Sequence, residues 1–369
     1  MIPRRRLNSY NMCEQTLNKS ESVIGCLLGT AVGDALGLCF ENLSKQRQRR
    51  MFHDVETYHF FLGKGMVSDD TEHACMLAQA LISSAGEPEK FISELSRSFR
   101  FWLLGLPAGV GYATLRSLLK LWIGFPGKKS GVFSAGNGPA MRSPLIGVCY
   151  GHDPVKMRQL VRASARITHT DPKAEFGALA AALAAYMASR NHHVSAQDYS
   201  EALKNLLAKD NAVEFLELIN QVIISVENRQ TTESFAEEMG LGSGISGYMY
   251  HTIPPVIHCW LTHQGDFKGA LKAIIRCGGD TDTTGAITGA IIGSSVGSDG
   301  IPEAWLENLW EWPRTKSWMI RLGNQLAEVC ESGSPQSPPG LPFYSVILRN
   351  LMFLIIVLFH GFRRLFPPY

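Results

Sequence analysis

Glycine recurs at positions 285, 289, 293 and 297, inside an Ala- and Ile-rich run that opens GGDTDTTGAITGAIIG at residue 278. A four-residue repeat returns to nearly the same face of an α-helix at each turn, so the spacing predicts a helix over 281–297 with one bare stripe. A stripe without side chains lets a second backbone approach closely. In lipid the same spacing would mark a helix dimer, but Asp280 and Asp282 at its start favour a helix inside a soluble domain.

Helical period also runs through 71–84, 90–104, 197–207 and 212–226. Residues 172–189 follow Asp171, a suitable N-cap, begin with proline and have an Ala-rich body, three features that favour a helix. Alternating, strand-like runs are scarce. The expectation is an all-α fold with helices buried inside other helices. It forms one continuous domain over 21–330, without internal repeats, after a loose polar segment at 1–20.

Of the 369 residues, 45% are apolar and 18% charged, enough for a sizeable core and unlike a disordered chain. A formal net charge of +2 gives no bulk electrostatic ground for nucleic-acid binding. The 8 cysteines are scattered with no CxxC, which reads as buried thiols in a reducing, cytoplasmic compartment. The N-terminal arginines have no apolar stretch behind them, so the start is not read as a secretory signal.

After ESGSPQSPPGLP (331–342) comes FYSVILRNLMFLIIVLFHGFRRLF. Its uninterrupted apolar core, Leu351 to Phe359, is shorter than the roughly 20 residues a bilayer needs. Counting from Phe343 to Phe362 reaches that length only with Arg349 and Asn350 inside. The expectation is a linker over 331–342 and a hydrophobic tail over 343–369, either a membrane-anchored or interfacial segment or a weak spanning helix. A terminal helix docked on the domain is the less favoured reading, because a linker precedes it.

Two stretches concentrate carboxylates and hydroxyls: SDDT at 68–71 and GGDTDTTG at 278–285. Both precede helical patterns, and N-capping would explain one such residue each. Two carboxylates and a hydroxyl, twice, exceed that need. On a regular helix Asp280 and Asp282 would point about 200° apart. They converge only if Gly278 and Gly279 set them in an irregular loop ahead of the helix. Four carboxylates meeting in one place would raise one another's pKa, which a divalent cation relieves. Ligation by oxygen alone suits Mg²⁺, Mn²⁺ or Ca²⁺ rather than zinc. On these residues alone, a metal site and simple capping both stay open.

Five blocks stand in order: GxxxGxxxGDxxG at 25–37 followed by Glu41; SDDT; GNGPAMRSPLIG at 136–147; ITHTDPKAEFGA at 167–178; and GGDTDTTGAITGAIIG. Together, over residues 22–312, they resemble the ADP-ribosylglycohydrolase family. The resemblance implies a compact, all-helical domain with two divalent ions, Mg²⁺ or Mn²⁺, in a central cleft. It implies hydrolysis of the bond between ADP-ribose and an arginine or serine side chain of a protein. The substrate could also be a small ADP-ribose conjugate. Ser68, Asp69 and Asp70 would bind metal from one side, and Asp280, Asp282 and Thr283 from the other. Ser68 stands where the family usually has threonine.

By the same resemblance, Glu41, Asp69 or Asp70 would act as general acid or base. Ser134, Gly136, Asn137 and Gly138 would form a substrate loop, and His169 would contact ADP-ribose. Ala135 replaces a ring found beside this loop in some relatives, leaving Phe133 or Tyr112 as substitutes. Asp34 reads as structural. A binuclear-metal hydrolase of another substrate, such as a phosphoester, and a membrane-tethered structural protein are rivals; so is a catalytically silent ADP-ribose-binding module, which loss of metal aspartates would signal. All four are present.

Overall fold

The structure, a computed structural model, describes residues 17–52, 55–191 and 193–367. Among them the chain forms eighteen α-helices and no strand, with extended segments paired only at isolated bridges. Nine helices carry the argument: α1 (Lys19–Gly37), α2 (Asp69–Ser84), α3 (Pro88–Leu104), α4 (Pro154–Thr168), α5 (Pro172–Arg190), α6 (Met249–Thr262), α7 (Thr281–Val296), α8 (Lys316–Ser332) and α9 (Phe343–Arg363). The all-α expectation holds.

At the centre α1 and α7 run antiparallel, backbone against backbone. A Cβ on Gly29 would stand 2.1 Å from the Gly289 carbonyl oxygen. Gly25 meets Gly293, Gly33 meets Gly285 and Gly37 meets Thr281 in the same way. Each step goes four residues forward on α1 and four back on α7, so the two bare stripes match. Residues 22–37 and 281–294 are all buried, enclosed by α5 and α8 among others. This pairing brings the C-terminal end of α1, with Glu41 beyond it, to the N-terminal end of α7, where Asp280 sits.

The helix expected over 172–189 is α5, with the Asp171 carboxylate accepting the Lys173 amide at 2.9 Å. One boundary needs correction. SDDT does not precede its helix: Ser68 caps α2 by accepting the Asp70 amide at 3.3 Å, and Asp69 and Asp70 lie in the first turn. Asn18 caps α1, which begins at Lys19. The first sixteen residues of the expected loose segment lie outside the described ones. Seven described cysteines are free thiols, six of them buried.

The C-terminal segment lies against the body. Over 331–342, the Gln336 amide donates to the Ile82 carbonyl at 3.0 Å, and Gln79 donates to the Pro339 carbonyl at 2.8 Å. Helix α9 docks through one stripe, Ser345, Val346, Arg349, Asn350, Phe353 and Ile356. Among the described residues two helices are long and apolar enough to cross a bilayer by length and composition, Lys19–Phe40 and Phe343–Arg363. The first is wholly enclosed by protein and the second is one-third buried.

Candidate active site

Asp34, inside α1, organises the start of α2. Both its carboxylate oxygens accept the Ser68 amide at 2.9 Å. One of them also accepts the Thr71 amide at 3.1 Å and the Thr71 hydroxyl at 2.6 Å. Burial pushes the Asp34 carboxyl up to about 7, against the pull of these bonds. Its structural role is as expected.

The two carboxylate stretches meet. Asp70 is buried, and its Oδ2 accepts the Ser68 hydroxyl at 3.1 Å and the Thr283 hydroxyl at 3.2 Å. Gly278 and Gly279 have φ of 75° and 83°, the left-handed region where glycine is favoured. Their turn is held by the Ile245 amide donating to Gly278 at 2.9 Å and the Asp280 amide donating to Ile245 at 2.7 Å. Asp280 is therefore set ahead of α7, at its N-cap, while Asp282 occupies the first turn.

The opposite wall is the 134–138 loop. Isolated bridges pair Gly136 with Tyr248 and Val132 with His169. The Asn137 side chain donates to Asp280 at 2.6 Å and to Thr252 at 3.0 Å. A Cβ on Gly136 would lie 2.9 Å from His169 Nε2, so any larger residue there would force the loop or this ring to shift. His169 is neutral: burial, then the Arg142 charge, holds it down to about 3.

Between the walls lies a cleft of about 510 Å³. Glu41, Ser68, Asp69, Asp280, Asp282 and Thr283 line one side, and Ser134, Gly136, Asn137, Gly138 and His169 the other. Asp70 lies just beneath, bonded to Ser68 and Thr283. Tyr112 and Phe133 also line the cleft, both strongly exposed.

Burial raises the carboxyls of Asp69, Asp70 and Asp282 well above the usual range. Neighbouring charges add to this: Asp34 first for Asp69 and Asp70, Glu41 first for Asp282. The Glu41 carboxyl is raised by burial and by Asp280, with Arg364 opposing. Among the described residues no three His, Cys, Asp or Glu side chains are yet drawn together tightly enough to hold an ion. Asp70 and Asp280 instead spend oxygens on Ser68, Thr283 and Asn137. Yet Asp70 Oδ1 and Asp282 Oδ1 are buried without a partner. Unpartnered carboxylate oxygens among hydroxyls are a donor set that fits a hard divalent cation.

Two contributions were missed at the sequence level. Arg142, fully buried, donates to the Gly138 carbonyl at 2.8 Å, to Ser164 Oγ at 2.9 Å and to Thr168 Oγ1 at 2.9 Å. It therefore ties the glycine loop to the end of α4 beside His169. Phe353 and Val357 of α9 also line the cleft, together with Leu38 and Ala108.

The chain is similar to known proteins of one family. The family model ADP-ribosylglycohydrolase matches residues 15–336. An uncharacterized protein of Archaeoglobus fulgidus is 30% identical over 319 residues, covering 84% of this chain and 97% of its own. The ADP-ribosyl-[dinitrogen reductase] glycohydrolase of Rhodospirillum rubrum is 29% identical over 297 residues, covering 78% and 90%. A solved ADP-ribosylglycohydrolase-related protein complex superposes with a TM-score of 0.61 at 26% identity, covering 85% of this chain and 99% of that one. A family match of that extent, on a cleft where the five sequence blocks converge, shows that the chain belongs to the ADP-ribosylglycohydrolase family and is a hydrolase of glycosidic bonds.

Proposed function

We propose that the protein is a metal-dependent hydrolase that releases ADP-ribose from modified protein side chains, through an arginine N-glycosidic or a serine O-glycosidic linkage. One observation carries this reading. Thr283 and Asp70, 213 residues apart, bond at 3.2 Å below a cleft whose other wall is a glycine loop. A hard-oxygen floor facing close-approach backbone suits a sugar diphosphate between metal and amides.

Ser68, Asp69 and Asp70 would hold one side of a pair of Mg²⁺ or Mn²⁺ ions, and Asp280, Asp282 and Thr283 the other. Bound ions of this kind lower the pKa of a water and stabilise developing negative charge. The chain's own residues do the rest. Glu41, with its carboxyl raised, is placed to exchange a proton nearer neutrality than an ordinary glutamate. Asp69 faces the same cleft and is the alternative acid or base. His169, neutral and anchored to Thr168 at 2.9 Å, orients the ligand by hydrogen bonding and does not donate a proton at neutral pH.

The test is release of free ADP-ribose from arginine-linked and serine-linked substrates, with Mg²⁺ or Mn²⁺ and with chelator. Chelator-sensitive release from one of them names the linkage. No release from either, with the fold intact, would favour another ADP-ribose conjugate or a silent binding module.

For the tail, the reading we favour is interfacial contact with a membrane. Ile355, Phe359 and Phe362 are each more than half exposed on the outer face of α9, just before Arg363 and Arg364. Spanning is disfavoured because Arg349 and Asn350, mid-helix, are held inside the protein. Co-sedimentation with anionic vesicles checks this, and no binding at low salt overturns it.

A further inference from the structure

Helix α9 lies beyond the segment that matches the family, yet it touches the site at three levels. Its Arg349 is buried, and one guanidinium nitrogen donates to the Val67 carbonyl at 2.6 Å and to Glu311 Oε2 at 2.7 Å. The same Glu311 oxygen accepts the Val67 amide at 3.2 Å. Both backbone polar groups of Val67, the residue before Ser68, therefore end on one buried ion pair. The next amide, that of Ser68, ends on Asp34.

One turn on, Phe353 packs under the Arg349 guanidinium, 4.4 Å from its ring centroid, and with Val357 lines the cleft. At the end of the helix Arg364 donates to the Cys39 carbonyl at 3.2 Å, two residues before Glu41. The helix is also fastened by Asn350, which donates to the Gly105 carbonyl at 2.8 Å while its Oδ1 accepts from Arg349 at 3.2 Å.

We propose that this appended helix completes the active site: Arg349 is a positioning residue for the Ser68–Asp70 ligand segment, and Phe353 with Val357 forms an apolar wall of the substrate cleft. The assignment rests on the function proposed above for its catalytic consequence, but not for its structural one. The charge arrangement explains why the contact is fixed. Glu72 and Glu311, both buried, face Arg314 and Arg349, with Arg314 bonded to Glu72 at 2.6 Å. Removing one cation leaves a buried carboxylate uncompensated, so the pair locks the helix in one register.

The experiment is amide hydrogen exchange across Val67–Thr71 in the full chain, comparing wild type, Arg349→Met and Arg349→Lys, with turnover on the same samples. Expected is exchange at least tenfold faster in Arg349→Met at Val67–Thr71, unchanged exchange in α5, and a fall in kcat rather than a rise in KM. Lysine should restore part of the protection, because its ammonium can still reach Glu311 and the Val67 carbonyl. The pair Arg349→Met with Glu311→Gln removes both charges and serves if the single variant does not fold. Separately, Val357→Trp should raise KM without changing exchange at Val67–Thr71. Wild-type exchange in Arg349→Met overturns the positioning role even if ADP-ribose is released normally. Faster exchange in a protein whose wild type releases no ADP-ribose keeps the positioning role and strikes the proposed reaction instead.

Discussion

Gly33 and Gly285 touch backbone to backbone: a Cβ on Gly33 would lie 2.0 Å from the Gly285 carbonyl oxygen, and one on Gly285 would lie 2.5 Å from that of Gly33. Neither neighbour is a side chain that can swing away. Gly33→Ala must therefore push α1 and α7 apart, at a cost of at least about 3 kcal/mol, the upper end of ordinary overpacking. Urea unfolding measures this. Gly340→Ala, with nothing within 4 Å of the new carbon, is the control and should leave the midpoint unchanged. Equal midpoints for the two variants would refute the close-packed pair.

That pair also aims the carboxylates. Asp69→Ala and Asp282→Ala each remove a cleft-lining carboxylate while leaving the helix core alone. Turnover should fall by at least about a hundredfold, the most that loss of a supporting residue around a metal usually costs. Far-ultraviolet circular dichroism should stay within error of wild type. Full activity in either variant would defeat the two-ion reading.

Cation binding should show in stability as well. Burial raises Asp34 to about 7 and lifts Asp69, Asp70 and Asp282 well above the usual range. A carboxyl raised in the folded state holds its proton where the unfolded chain has lost it. Its contribution is present at low pH and is lost as pH rises through the folded value. Without metal the protein should therefore be weakened by its own cluster at pH 8. Mn²⁺ at about 100 times its Kd should then add about 2.7 kcal/mol. Differential scanning calorimetry should show a higher Tm at pH 8, reversed by chelator, and a smaller gain at pH 5.5. An identical shift at both pH values would count against the carboxylates as ligands.

His169 carries the opposite sign. Held down to about 3 by burial and Arg142, it stays neutral in the fold, while the unfolded chain takes up a proton below about pH 6.5. The unfolded state then binds more protons, so this site loses stability as pH falls from about 6.5 toward 3. His169→Gln should remove that loss. Relative to wild type it should gain up to about 1.4 kcal/mol per pH unit between pH 5.5 and 4. Parallel urea midpoints for the two proteins across that range would show that the ring is not held neutral.

The helical class, the bare stripe on 281–297, the Asp171 cap and the carboxylate stretches were all legible in the sequence. Each depends on spacing or on residues a few positions apart, and the helical repeat turns such spacing directly into geometry. The break at Gly278 and Gly279 was legible for the same reason, and both have positive φ, but of the two aspartates expected in the loop ahead of the helix only Asp280 is there, while Asp282 lies in the first turn. The start of α2 was misplaced by two residues because its cap is completed by Asp34, 34 positions from Ser68.

What tertiary structure alone decided is where distant charges and faces came to rest. Arginine by default lies at the surface, and nothing local marks Arg142 or Arg349 as buried. Each is buried because its partners converge on it, Gly138 and Thr168 in one case, Glu311 and Val67 in the other. The docked α9 follows from the same cause: its hydropathy alone suits lipid, and the buried ion pair with Glu311, 38 residues away, holds it on the protein. The sequence by itself therefore determined which helices form and which chemistry they carry. Only the fold decided that Asp70 meets Thr283 beneath a cleft walled by the C-terminal helix, because long-range packing, unlike helical periodicity, leaves no repeat to read.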